Sequence, residues 1–150
     1  MTFNYARKYR CVYILIDPRD GNVFYVGQTC MPEKRLQEHL ISAEVSLEIY
    51  PETGLPFGGD EKDKYIVELW SADGRDPEIK VIIEGQYTYN EICKLESQEI
   101  ESYCGSGALL TNRSLTKRAV DLRESAASQA LSTLEFNLVG GADTTPPANH

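Results

Sequence analysis

The sequence predicts a small α+β domain: a three-stranded, mainly antiparallel sheet flanked by helices, with an additional helix at the C-terminal end. Three observations carry this reading. Residues 10–16 (RCVYILI) and 23–27 (VFYVG) are short runs rich in β-branched and aromatic side chains, and the turn-forming DPRDGN of 17–22 separates them, which is a β-hairpin signal. Residues 77–84 (PEIKVIIE) alternate and are β-branched, so they read as a third strand ending at Gly85. The stretches between and after these runs carry helical periodicity in the order β-β-α-α-β-α, which places helices over the sheet.

Each helix has its own signals. Pro32 and Glu33 open an amphipathic stretch to about Ser42, with Leu36, Leu40 and Ile41 on one side and Lys34, Gln37 and Glu38 on the other. Residues 49–60 are too rich in Pro and Gly for a regular element and read as a loop. Over 61–72, Tyr65, Ile66, Leu69 and Trp70 form a narrow apolar stripe that stops at Gly74 in the C-cap position. Thr88 and Glu91 have capping-box spacing, and the run that follows, with Ile92, Leu95, Ile100 and Tyr103 apolar, ends before Gly105. Residues 115–134 make a weakly patterned fourth helix. The resulting division is an N-terminal arm (1–9), a folded domain (10–113), a C-terminal helix (114–137) and a disordered tail (138–150).

With 150 residues, 41% hydrophobic and 25% charged, the chain suits a single globular domain. No window reaches the roughly 18 apolar residues of a membrane helix, and no apolar signal core follows the first ten residues, so neither secretion nor membrane insertion is expected. Cys11, Cys30, Cys93 and Cys104 have no paired C-x-x-C spacing, which disfavours structural zinc and suits reduced thiols in a cytoplasmic protein. Cys11 and Cys93 read as small core residues. The net charge of −8 alone speaks against a phosphate-backbone partner, but it is unevenly spread. Residues 1–40 hold six Lys/Arg against four Asp/Glu, whereas 41–104 hold five against fifteen.

Several residues look chemical as well as structural. Glu96 lies four residues from both Ile92 and Ile100, so its carboxylate shares a helix face with two apolar side chains. It is either a rim carboxylate reaching water or one held in a pocket to bind a cation. Tyr13 and Tyr25 sit in the hairpin strands and face each other if the turn is the three-residue type with Gly21 left-handed; otherwise they are ordinary β-formers. Gly27 either ends its strand or lets a backbone or ligand approach closely. Arg35 and His39, spaced i, i+4, either hold a phosphate between them or lie on a solvated face where Arg35 pairs with a carboxylate. Asn112 is a turn residue or a tie from the following loop back to the core.

Taken together, Val12-Tyr13, Tyr25-Val26-Gly27, Arg35, His39, Glu96 and Asn112 resemble, in order and spacing, the GIY-YIG nuclease family, and the resemblance spans 10–113. It is nearest to bacterial and phage-type members over 12–27 and again over 76–83. There are two departures: Cys11 stands where the first tripeptide has glycine, and no glycine-rich stretch follows Asn112.

The resemblance implies a GIY-YIG-like sheet and a metal-dependent endonuclease acting on nucleic acid, DNA favoured. It implies one divalent cation, Mg²⁺ or Mn²⁺, at Glu96, a charge-neutralising Arg35 and Tyr13 as general base. Tyr25 and His39 would position water or phosphate, with His39 able to share proton transfer, and Gly27 and Asn112 would support substrate placement. A non-catalytic nucleic-acid or protein interaction module on the same scaffold is the alternative that the acidic net charge favours.

Overall fold

The structure is a computed structural model and describes residues 6–49, 60–113 and 115–143; for 48–49 and 135–143 it describes the backbone alone. Strands β1 (Lys8–Ile16), β2 (Val23–Thr29) and β3 (Glu78–Tyr87) form one antiparallel sheet in the order β2-β1-β3. Helices α1 (Pro32–Ile49) and α2 (Glu61–Asp73) cover one face, while α3 (Tyr89–Gly105) covers the other with α4 (Lys117–Asp143) packed against it. The α+β arrangement with an extra C-terminal helix is the one the sequence predicts.

Alternation in the central strand divides the core in two. Val12 and Ile14 join Val26, Ile92, Cys104 and Ala119 under α3 and α4. Tyr13 and Leu15 join Phe24, Ala43, Ile66 and Val67 under α1 and α2. β1 is buried on both faces, which is why residues 11–15 read as a continuous apolar run. Cys11, in the place of the family's glycine, lies fully buried and pairs with Thr29 on one side and Glu84 on the other.

The hairpin register differs from the expected one. Tyr13 pairs with Gly27 and Leu15 with Tyr25, so the two tyrosines are diagonal neighbours on one face, two residues from facing each other. The loop is longer than three residues: Gly21 donates to Asp17 O at 2.8 Å, Asp17 donates to Asn22 O at 2.9 Å, and Gly21 is left-handed as expected, with φ 77°. A bulge follows, in which Phe24 stands unpaired between Val23 and Tyr25. Val23 packs in the α3-side core, whereas Phe24 and Tyr25 both turn toward the α1–α2 side. Under strict alternation Tyr25 would face α3, so the bulge is what puts it on the same face as Tyr13.

The helix caps agree with the sequence. The side chains of Thr88 and Glu91 exchange hydrogen bonds with each other's backbone N–H at 3.2 and 2.8 Å, and left-handed Gly74 donates to Trp70 O at 2.9 Å. The first helix differs. It continues to Ile49, well past Ser42, and Ile41 is exposed. The buried face of α1 runs through His39, Ala43 and Ser46, flanked by half-buried Leu36, Leu40 and Leu47. Ser42 extends this contact by donating to Asp63 on α2 at 2.9 Å. β1 starts two residues early, at Lys8, and β3 runs through Gly85 to pair Tyr87 with Lys8. Residues 138–143, assigned to the tail by sequence, belong to α4. Most of the 49–60 loop and residues 144–150 lie outside the described residues. Among the described residues no helix is long and apolar enough to cross a membrane.

Asp17 fastens the turn to α2. Its fully buried carboxylate accepts from the Arg19 backbone and guanidinium at 2.7–3.2 Å and from the Tyr65 hydroxyl at 2.6 Å, while the Tyr65 ring stacks on Phe24 at 4.1 Å. These donors hold the Asp17 carboxyl well below the usual carboxylate range. Because Arg19 is one-third exposed, we expect Asp17→Ala to cost about 2–3 kcal/mol rather than the larger sum for a fully buried pair. Urea denaturation checks this: the midpoint should fall with an unchanged slope, and an unmoved midpoint would show that the clamp contributes nothing.

Candidate functional site

The site is built around a tyrosine that the central strand buries completely. Tyr13 is 0% exposed, and a hydroxyl in that position needs partners. His39 Nε2 lies 2.7 Å from the Tyr13 oxygen, and Arg35 Nε donates to it at 3.3 Å. Both partners come from α1, one turn apart, as the i, i+4 spacing implies. The ring itself needs space, and Gly27 provides it: a Cβ there would lie 2.9 Å from Tyr13 Cε1 and closer still to Cζ and the hydroxyl. The absence of a side chain at Gly27 is thus a packing requirement of Tyr13.

Tyr25 completes an aromatic cluster, its ring centroid 6.2 Å from Tyr13 and 5.1 Å from the His39 ring, which it meets nearly edge-on. Asn112 secures the strand that carries Tyr25. Its side chain accepts from Val26 N at 3.1 Å and donates to Val26 O at 2.7 Å, in the manner of a neighbouring strand, while Thr111 N and Oγ1 donate to Phe24 O. The loop after α3 therefore covers part of the outer edge of β2, and Asn112 is the tie to the core.

Glu96 comes from the opposite helical layer. Gln28 Nε2 lies 3.8 Å from Cys93 Sγ where α3 meets the end of β2, and Glu96 follows three residues later. Burial raises the Tyr13 and Tyr25 phenols most, and the Glu96 charge adds to it. Glu96 is half-buried, burial alone raises its carboxyl above the ordinary value, and among the described residues it forms no ion pair. No cluster of three His, Cys, Asp or Glu side chains stands ready for a metal among those residues. A single half-buried carboxylate fits a hard divalent cation that keeps most of its waters, and does not fit a closed zinc cage.

Arg35 has two surroundings. Its Nε serves Tyr13, while Nη1 reaches Glu38 at 3.4 Å and 37% of the side chain is exposed. The solvated-face reading therefore holds for Arg35, which pairs with a carboxylate at the surface, and fails for His39, which is buried.

The residues that the sequence reading missed are Lys62 and Asp63. Lys62 is 6% exposed, with Nζ 2.8 Å from His39 Nδ1 and 5.9 Å from the Tyr25 ring centroid. The signal was available, because Lys62, Ile66 and Leu69 recur at i, i+4, i+7 and place the lysine on the buried face of α2. A cavity of about 360 Å³ between the hairpin turn and the loop after α3, lined by Asn22, Phe24, Tyr65 and Leu109 among others, shares no residue with this group.

Burial dominates the electrostatics. It pushes the Tyr13 and Tyr25 phenols up against the pull of Arg35. His39 is pushed down to about 3 by burial first, then by the Lys62 and Arg35 charges, with Asp60 opposing. In the unfolded chain a histidine takes up its proton near its ordinary value of 6.5. Between 6.5 and about 3 the unfolded chain therefore binds more protons, so this contribution to stability is intact above 6.5 and is lost as the pH falls. Melting temperatures measured from pH 7 to pH 4.5 should fall more steeply for the wild type than for His39→Gln. Equal slopes would show that His39 is not held neutral by the fold.

No curated protein and no solved structure matches this chain significantly. A family model, the GIY-YIG catalytic domain, matches residues 9–107, well over half of the chain. That span contains Tyr13, Tyr25, Gly27, Arg35, His39, Lys62 and Glu96, with only Asn112 beyond it. The chain belongs to the GIY-YIG family.

Proposed function

We propose that this protein is a metal-dependent endonuclease that hydrolyses phosphodiester bonds, with DNA as the favoured substrate and Mg²⁺ or Mn²⁺ held singly at Glu96. GIY-YIG proteins are endonucleases acting on nucleic acid and generally use divalent metal ions. The observation that carries the finer reading is the convergence on one buried phenol: Arg35 Nε–H and His39 Nε2 both meet the Tyr13 oxygen.

In this reading Tyr13 is the general base for the attacking water. Burial opposes its ionisation, and the arrangement works against that opposition, because Arg35 Nε–H lies against the oxygen that would carry the phenolate charge. His39, neutral and enclosed behind Tyr13, contributes a hydrogen bond and orientation instead of taking the water's proton itself. The Arg35 guanidinium, part of which is exposed, neutralises charge gathering on the phosphate oxygens in this reading. Tyr25 packs beside the Tyr13 and His39 rings, Gly27 leaves room for the Tyr13 ring, and Asn112 acts through β2, the strand that carries Tyr25. When bound, a divalent cation at Glu96 supplies Lewis-acid stabilisation of the leaving oxygen.

The chain's acidity gives no general attraction to a nucleic acid, so binding rests on these local groups, and a cytoplasmic location accords with its free thiols. Nicking of supercoiled plasmid, run with Mg²⁺, Mn²⁺ or EDTA, tests the proposal. We expect metal-dependent nicking that Glu96→Ala abolishes without unfolding the chain and that Arg35→Ala slows by at least about a hundredfold. A folded Glu96→Ala variant that nicks at the wild-type rate would refute the metal assignment. Failure of the wild type on plasmid and on single-stranded and branched DNA and RNA alike would leave the non-catalytic module as the better reading.

A further inference from the structure

We propose that Lys62 is a positioning residue of this site, one that fixes His39 in the tautomer whose Nε2–H donates to the Tyr13 oxygen. The proposal deepens the nuclease reading and rests on it for its catalytic consequence, although the tautomer itself can be observed without any cleavage. The argument starts from donor counting. A lysine ammonium has three donors and no acceptor, so a ring nitrogen 2.8 Å from Lys62 Nζ must present its lone pair. That nitrogen is Nδ1, which leaves the ring proton of a neutral imidazole on Nε2. Nε2 lies 2.7 Å from the Tyr13 oxygen, and His39 is 1% exposed, shielded from bulk solvent.

Lys62 has a counter-charge in this buried setting. Asp63 Oδ1 lies 3.4 Å from Nζ, at ion-pair distance but outside hydrogen-bond geometry, and it has no hydrogen-bond partner of its own. Asp63 is itself 5% exposed, its other oxygen accepting from Ser42. Among the described residues, the groups facing His39 are Tyr13 from β1, Tyr25 from β2, Arg35 from its own helix, Lys62 from α2 and Asp60 at the N-cap of α2. Two cations among them argue against a doubly protonated ring.

The consequence falls on Tyr13. Its oxygen accepts from His39 and Arg35, so its own proton cannot pass to His39; when the phenol ionises, a base from solvent takes that proton and the phenolate keeps both donors. With the other tautomer, Nε2 would accept the Tyr13 proton in a hydrogen bond and hold the phenol in its unreactive form.

Long-range ¹H–¹⁵N correlation spectra of the full chain at pH 7 read the tautomer directly. The His39 signals are assigned by their loss in His39→Gln, which separates them from His150. The expected pattern has Nε2 protonated and Nδ1 bare. In Lys62→Met the pattern should shift toward a mixture, with kcat falling at least about tenfold and KM moving less than twofold; Lys62→Arg, which also only donates, should restore the pattern. An Nδ1-protonated His39 in the wild type overturns the proposal, as does a Lys62→Met variant with unchanged tautomer and rate. If Lys62→Met does not fold, the wild-type spectrum still decides. The expected pattern in a chain that cleaves nothing would support the tautomer and overturn the nuclease reading; the reverse pattern in an active nuclease would overturn only this inference.

Discussion

A tyrosine side chain fully buried in the middle of a sheet sets the conditions that the rest of this structure meets. Tyr13 must have hydrogen-bond partners, and α1 delivers them in Arg35 and His39. Its ring must have room, and Gly27 across the hairpin leaves that room empty. His39, buried to satisfy Tyr13, must in turn be satisfied at its other nitrogen, which brings Lys62 in from α2. Lys62 needs a counter-charge, and Asp63 stands beside it. The chain of requirements runs from β1 through α1 to α2, so the interface between these layers is polar at the site end and apolar around Leu15, Ala43, Ile66 and Val67.

The hairpin makes the second half of the arrangement. Asp17 clamps the turn, the turn length sets the register, and the bulge at Phe24 turns Tyr25 to the face that already holds Tyr13. Asn112 then holds Val26 from outside by bonding both of its backbone groups. A defect at Asp17 would therefore be felt first as a loss of stability and only afterwards at the tyrosines. A defect at Gly27 would act on Tyr13 directly, since an added methyl meets its ring and hydroxyl.

Much of the fold was legible in the sequence because its signals are local. The Thr88–Glu91 capping box, the left-handed Gly74 and the alternation of β3 depend on neighbours a few residues away. The site residues were legible one at a time, as the charged Glu96 on an apolar face and the i, i+4 pair Arg35 and His39. What tertiary contact decides was not. α1 buries His39, Ala43 and Ser46 and exposes Ile41, an inversion of the apolar pattern that makes sense only once Tyr13 and Lys62 are beside it. The hairpin register depends on a six-residue loop held by a long-range tie to Tyr65, which no local rule supplies. Lys62 passed unnoticed because a lysine in the first turn of a helix ordinarily points to water.

The central claim is that the buried Tyr13 oxygen is the reacting base, and Tyr13→Phe removes that oxygen while keeping the ring that packs over Gly27. The most direct measurement is the single-turnover cleavage rate of this variant beside the wild type, at saturating metal and with melting curves to show that both are folded. The account predicts a loss of at least about a hundredfold at equal substrate affinity. A folded Tyr13→Phe protein that cleaves at the wild-type rate would contradict it.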